Sequence, residues 1–443
     1  MPAAAIALFA LLVVAYVSQS DRLERALLTA PIVFTAAGAV LGLTVFRSAV
    51  EPADLKVIAE LTLTLVLFHD AAQVQPRELR SDAGLSARLL LIGLPLTIAA
   101  GYGAALLLIP EGSVWLALLL AAALAPTDAG LGAATVLNPV VPVRVRRVLN
   151  VESGLNDGLA TPVVLFAISL AGTEALAPKE EVLAALRELA LGVLAGVLLA
   201  AAAGRLLAWA RRRAWISPGL LPVATLAVPL LCYYGSLTIH GNGFVAAFVA
   251  GTAFAAAGTR KPQTAAPDAQ GDEHPLELAA RVSVFLGYAV WTLFGVVAVA
   301  HLGELFTWRG LVFAVLSLTV LRMVPVALAL LGTRLRRETV VFVGWFGPRG
   351  LASVVFALLA IESLTMDSEL APIIGAIATT VLLSVVLHGV TAEPWARRYG
   401  AWVQRESPPV ETSRSVEPTG GRGSRWGHLR RGGRAASEEG LTG

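Results

Sequence analysis

Charge and cysteine are both scarce in this chain of 443 residues. Asp, Glu, Lys and Arg together make up 15% of it, against about a quarter in a soluble domain. That shortage excludes the two or three soluble domains that length alone would suggest. The single cysteine, Cys232, excludes an internal disulfide and a cysteine-ligated metal site. A formal net charge of +3 gives no footing for a nucleic-acid partner. No serine sits in a G-x-S-x-G setting, so the exposed nucleophile turn of the serine hydrolases is missing. What is present is apolar: 56% of residues are hydrophobic and the mean hydropathy is +0.73. The chain reads as an all-α polytopic membrane protein.

A bilayer-spanning helix needs about 20 mostly apolar residues. On that rule thirteen spans are expected, at 3–18, 26–46, 55–72, 87–109, 114–137, 148–171, 182–208, 217–239, 243–258, 278–301, 310–333, 339–361 and 371–393. The first lacks a basic flank and a small-x-small cleavage site, so it is expected to stay as a helix. Basic residues then fall on one side. The loops after odd-numbered spans hold Arg77, Arg80, Arg144, Arg146, Arg147, Arg211, Arg212, Arg213, Arg334, Arg336 and Arg337, whereas those after even-numbered spans hold at most Arg47, Lys56, Lys179 and Arg309. Because basic loops stay inside, the amino terminus is expected outside and the carboxyl terminus in the cytoplasm of a cell-membrane protein. The transmembrane domain is expected over 1–395, followed by a cytoplasmic, disordered tail over 396–443 that is too short for a nucleotide-binding domain.

Ionisable residues inside spans are costly to insert and mark function by default. They are Glu60, Asp70, Asp128, Glu152, Asp157, Arg187, Arg281, Arg322 and Arg349. Arg187 and Arg281 lie near span ends and are expected to snorkel. The densest group is NVESGLNDG at 150–158. At about 100° per residue, Glu152, Ser153, Asn156 and Asp157 share one helix face. Carboxylate, hydroxyl and amide oxygens near the membrane centre suit a hard monovalent cation. Helix-gluing polar residues would not call for two carboxylates there.

Span 5 contains APTDAG (125–130) and span 12 contains WFGPRG (345–350). Pro126 and Pro348 each remove a backbone donor and clash one turn back, freeing the carbonyls of Ala122 and Gly344. Seven spans separate the two breaks, an odd offset that implies opposite orientation. Paired interrupted helices in inverted halves point to a transport site at the midplane. Spans 1–6 and 8–13 are therefore read as two six-helix inverted repeats, with span 7 as connector and the carbonyls beside Thr127 and Asp128 facing a cavity. Asp128, Glu152 and Asp157 outnumber the midplane cations Arg349 and Arg322 once one Arg–Glu pair neutralises itself. A carboxylate is left that needs a proton or a metal cation.

The stretches LTLTLVLFHD (61–70), LAPTDAG (124–130), RRVLNVESGLNDG (146–158), GNGFVAAFVAG (241–251), LRMVP (321–325) and VGWFGPRGLASVVFALLA (343–360) resemble the monovalent cation:proton antiporters of the sodium/hydrogen exchanger family, in its bacterial NhaP-like branch. The likeness runs from about residue 5 to 395. It implies that Asp157 binds Na⁺ and H⁺ in turn, with Asn156 as the neutral neighbour of the electroneutral branch. It also implies that Ser153, Thr127, Asp128 and Asp70 complete or support the ion site, with Na⁺ held by Asp157, Ser153, Thr127 and Asp70. Glu152 and Arg349 match a structural ion pair joining span 6 to span 12. The resemblance further implies a homodimer in membrane lipid, no nucleic-acid partner, and no cofactor beyond the transported Na⁺ or K⁺ and H⁺. Where the family has Thr-Asp-Pro, Ala129 follows Asp128 here, and the proline precedes the pair at Pro126.

The expected function is secondary active exchange of Na⁺ (or Li⁺ or K⁺) for H⁺, and the protein is not an enzyme. The nearest alternative is K⁺/H⁺ exchange on the same scaffold for pH or turgor control; a sensor without flux is a third reading. A hydrolase using Ser153 and His240 is disfavoured, because acids crowd Ser153 and His240 lies near the outer end of its span.

Overall fold

A computed structural model of the chain describes residues 3–26, 28–44, 52–74, 83–128, 130–131, 138–172, 179–217, 219–258, 275–300, 307–364, 366 and 368–412. Every regular element among them is helical, as expected where lipid offers backbone groups no partner outside the segment. In chain order these are α1 (Ala3–Arg25), α2 (Ala30–Thr44) and α3 (Pro52–Gln73). Ala83–Arg88, a π turn over Leu89–Gly93, and Leu94–Leu108 together make α4. Next come α5 (Val114–Ala123), α6 (Val143–Ala171), α7 (Lys179–Arg212), α8 (Leu221–Leu237), α9 (Gly243–Gly258) and α10 (Glu277–Ala300). The last are α11a (Trp308–Leu318), α11b (Val320–Ala329), α12a (Arg337–Trp345), α12b (Leu351–Ser363) and α13 (Leu370–Glu406). Among the described residues, seven helices are long and apolar enough by themselves to cross a bilayer, and there are five shorter apolar ones of 10–17 residues.

Helices or helix pairs overlap the expected spans with shifted ends, and of span 5 (114–137) only Val114–Ala123 is helical among the described residues. Helix α6 begins at Val143, so Arg146 and Arg147 are buried within it rather than sitting in a loop. Span 11 is broken at Thr319, whose φ of −116° and ψ of −94° leave the helical region. The boundary drawn at 395 falls inside α13, which continues to Glu406. There Tyr399 stacks on Phe342 of α12a at 4.1 Å. Beyond it Glu411 is buried, accepting from the Arg336 amide at 2.8 Å and from the Thr339 hydroxyl at 3.0 Å. Residues 396–412 are therefore part of the folded body. Residues 413–443, the loop 262–274, Arg77, Arg80 and Ala129 lie outside the described residues.

The pairing of helices is that of a repeat. α2 packs along α10, and α3 packs along α9. Exchanging spans 1–6 with 8–13 turns the first pair into the second. Small residues allow both close approaches. A Cβ on Gly38 of α2 would lie 2.0 Å from the Thr292 carbonyl oxygen of α10, and one on Gly251 of α9 would lie 2.3 Å from that of Phe68 on α3. At the centre, α12b is buried from Leu351 to Ala360 and α5 over most of its length, which puts their broken ends in the protein interior.

Candidate ion site at the crossed helix breaks

Helix α5 stops at Ala123 and the chain runs on unwound through Asp128. Helix α12a stops at Trp345, and α12b starts only at Leu351. The two breaks meet: the Asp128 amide donates to the Pro348 carbonyl at 2.8 Å. A helix end leaves its last carbonyls or first amides unsatisfied, and the opposite chain supplies the partners. Arg349 donates from Nη1 to the carbonyls of Ala125 and Pro126 at 2.8 and 3.0 Å. Ser353 donates to the Ala123 carbonyl at 2.7 Å. In return, Asp128 Oδ2 accepts from the Leu351 amide at 2.9 Å, while Oδ1 accepts from Gly130 at 2.7 Å and Leu131 at 3.4 Å. A cation thus sits at the negative end of α5 and an anion at the positive end of α12b, the favourable sense for both dipoles. Gly350 makes this possible, since a Cβ there would lie 2.1 Å from Asp128 Oδ2.

This corrects one expectation. The carbonyls of Ala125 and Pro126 do not face an ion cavity, because Arg349 occupies them. Asp128 spends both carboxylate oxygens on backbone amides and acts as a cap.

The second break has a further clamp that the sequence reading missed. Ser384 of α13 accepts from the Arg349 amide at 2.7 Å and lies 3.1 Å from His388 Nδ1. His388 Nε2 lies 2.9 Å from the Trp345 carbonyl, the last of α12a. The spacing i, i+4 of a Ser and a His in an apolar helix was the available signal.

The face of α6 is turned to this crossing. Ser153 and Thr127 hydroxyls are 2.9 Å apart, and Asn156 Nδ2 donates to Thr127 Oγ1 at 2.7 Å. Asn156 is buried, and its Oδ1 has no protein hydrogen-bond partner. Asp157, buried with 6% exposure, is the next residue on the same face. Asp70 of α3 comes in from the other side: its carbonyl oxygen would be 3.2 Å from a Cβ on Gly154, one turn before Asp157. The structure therefore brings Thr127, Ser153 and Asn156 into direct contact, sets Asp157 beside them, and brings the Asp70 backbone to within a turn. Among the described residues no three of His, Cys, Asp and Glu converge as a metal centre would need. The oxygens on offer are one carboxylate with amide and hydroxyl neighbours.

Glu152 is the second correction. Its expected partner was Arg349, but Arg322 makes the contact, with Nη1 2.6 Å from Glu152 Oε1 and both side chains almost wholly buried. Arg349 lies within Coulombic range of both, yet its Nη1 is taken by the end of α5. The break at Thr319 starts α11b just before Arg322, whose guanidinium packs against Gly347 of the α12 break. The ion pair thus ties α6 to α11b.

Two interrupted chains that cap each other in the protein interior, with a buried carboxylate alongside, are the arrangement of a secondary transporter rather than an enzyme. A family model described as the transmembrane sodium/hydrogen exchanger matches residues 7–398, and the chain belongs to that family. Over 359 residues it is 25% identical to a K⁺/H⁺ antiporter NhaP of Alkalimonas amylolytica, matching 80% of this chain and 59% of that relative. It is 27% identical over 355 residues to a Na⁺/H⁺ antiporter of Schizosaccharomyces pombe, with 73% of each chain covered. The chain thus spans somewhat over half the length of the first relative. The fold is similar to that of the sodium proton antiporter MjNhaP1 of Methanocaldococcus jannaschii at pH 8, with a TM-score of 0.71, 19% identity, and 89% of this chain and 98% of that one covered.

Proposed function

We propose that the chain is an antiporter that exchanges a monovalent cation, Na⁺ (or Li⁺ or K⁺), for H⁺, with cation and proton competing for Asp157. The observation that carries this is the buried Asp157 beside an unsatisfied amide oxygen and a hydroxyl pair, at the crossing of two broken helices. A carboxylate screened from water is tolerable only when its charge is neutralised, by a proton or by a cation. Asn156, Ser153 and Thr127 supply neutral oxygens to a partly dehydrated cation. The two states cannot coexist, and that exclusion couples the fluxes. The carbonyl of Asp70 borders the site from α3, and alternating access carries the α5–α6–α12 body past the helices packed on it.

With Asn rather than a second acid before Asp157, one cation replaces one proton and the exchange is electroneutral. The protein works as a homodimer in the cell membrane, amino terminus outside, and serves pH and cation homeostasis. The two relatives differ in their named cation, so K⁺/H⁺ exchange stands as the second reading. Purified protein in sealed vesicles, with an imposed Na⁺ or K⁺ gradient and an internal pH dye, is the test. Proton flux driven by one gradient and lost in Asp157→Asn supports the reading. No flux with any monovalent cation overturns it.

A further inference from the structure

A cavity lined by none of the candidate ion-site residues opens elsewhere in the molecule. It has a volume of about 390 Å³ and lies between α12a and the last turns of α13. Its walls are the rings of Phe342, Trp395, Tyr399 and Trp402, and its rim carries Arg398 and Arg405. Both arginines are exposed. Neither forms an ion pair among the described residues: neighbouring Arg397 is paired with Glu393 at 2.7 Å, whereas Arg405 makes only a 3.3 Å contact with the carbonyl of Ala401 in its own helix. Glu338 also borders the cavity but reaches neither guanidinium, so two free cations face one carboxylate.

The position of the groove decides what fills it. Residues 370–393 of α13 already cover about 35 Å at 1.5 Å per residue, enough for a hydrocarbon core of about 30 Å. Residues 395–405 therefore begin at headgroup level, where Trp and Tyr favour the interface. Arg144, Arg334, Arg336 and Arg337 lie at the same end of the molecule: Arg144 donates to the Val410 carbonyl at 2.6 Å, and the others flank or begin α12a.

We propose that this groove is a binding site for an anionic phospholipid, with its phosphate on Arg398 and Arg405 and its acyl chain along Trp395, Tyr399 and Trp402. A basic pocket between helices at headgroup level is the setting in which such lipids are held. One wall is α12a, whose other end forms the break at Trp345, so an occupied groove braces the half-helix that carries the site.

The test is lipid binding by the full chain in detergent, read by native mass spectrometry and by thermal unfolding, with dioleoyl phosphatidylglycerol against dioleoyl phosphatidylcholine. Wild type should retain phosphatidylglycerol in preference and unfold at a higher temperature with it. Arg398→Gln and Arg405→Gln should each weaken that preference about five-fold, and the double variant should abolish it. Arg397→Gln, whose partner is Glu393, should leave it unchanged. A double variant that keeps the wild-type preference would overturn the proposal. So would stabilisation by inorganic phosphate equal to that by phosphatidylglycerol, which would mean a site for free anions. Neither readout involves transport, so failure here leaves the exchange reading untouched.

Discussion

Replacing Glu152, Arg322 and Arg349 singly and in pairs should show which arginine neutralises the buried glutamate. Glu152 and Arg322 meet at 2.6 Å with side-chain exposures of 3% and 2%. Removing either leaves an uncompensated charge with little access to water, at a cost of about 3–5 kcal/mol. Glu152→Gln and Arg322→Gln should therefore each be strongly destabilising, and the double variant should cost much less than their sum. In a double-mutant cycle the coupling between 152 and 322 should lie near the top of the range for contacting residues, about 2–3 kcal/mol. Arg349→Gln is also destabilising, but mainly through its hydrogen bonds to Ala125 and Pro126. Charged hydrogen bonds of that kind contribute about 1.5–3 kcal/mol each. Its coupling to Glu152 should stay below about 1 kcal/mol. Denaturing-detergent titration of purified protein, followed by tryptophan fluorescence, gives the six stabilities the two cycles need. A larger coupling for 152 with 349 than for 152 with 322 would refute the pairing.

Further outcomes concern the site itself. Asp157→Asn should end exchange while leaving a folded protein, checked by vesicle flux beside size-exclusion chromatography; flux near wild type would sink the competition mechanism. Cation affinity should rise with pH as the proton leaves Asp157, so the apparent KM for the driving cation should fall and then level off at high pH. A KM independent of pH between 6 and 9 would mean that the two ions do not share a group. Asp128→Ala removes the cap of α12b, which at about 0.5–2 kcal/mol for a cap should lower thermal stability measurably, with Asp128→Asn intermediate. Transport rates in valinomycin-clamped vesicles with Na⁺ as substrate should not respond to membrane potential, and a several-fold response would require a second titrating group.

The sequence made the helices legible because each apolar run had to satisfy its own backbone in lipid. It made the candidate site legible because carboxylates, amides and prolines are conspicuous against apolar surroundings. The end of α13 was hidden for the same reason. EPWARRYGAWVQRE (393–406) carries too many charges to read as a span, and its buried face of Ala396, Tyr399, Gly400 and Val403 shows only against α12a and the segment before α6. The partner of Glu152 was hidden differently. Arg322 and Arg349 look alike as intramembrane cations, and pairing depends on the angle at which two broken chains cross. That angle also turned the carbonyls of Ala125 and Pro126 toward Arg349 instead of an ion. Ser384 and His388 were passed over because a hydroxyl and an imidazole on an apolar helix are most often satisfied locally.

The exchange of caps between the two breaks bears on how the chain is made. When α5 enters the bilayer, its last carbonyls have no permanent partner, because Arg349 and Ser353 lie more than two hundred residues downstream. The nascent chain must hold those groups against water, lipid headgroups or the insertion machinery until α12 follows. When α12 arrives, its own amide end needs Asp128, already in place. Neither half can reach its final form alone, and a ribosome-stalled chain ending before residue 337 would carry an open helix end in the membrane. Synthesis of the last two helices is therefore the step at which the first six become a finished structure.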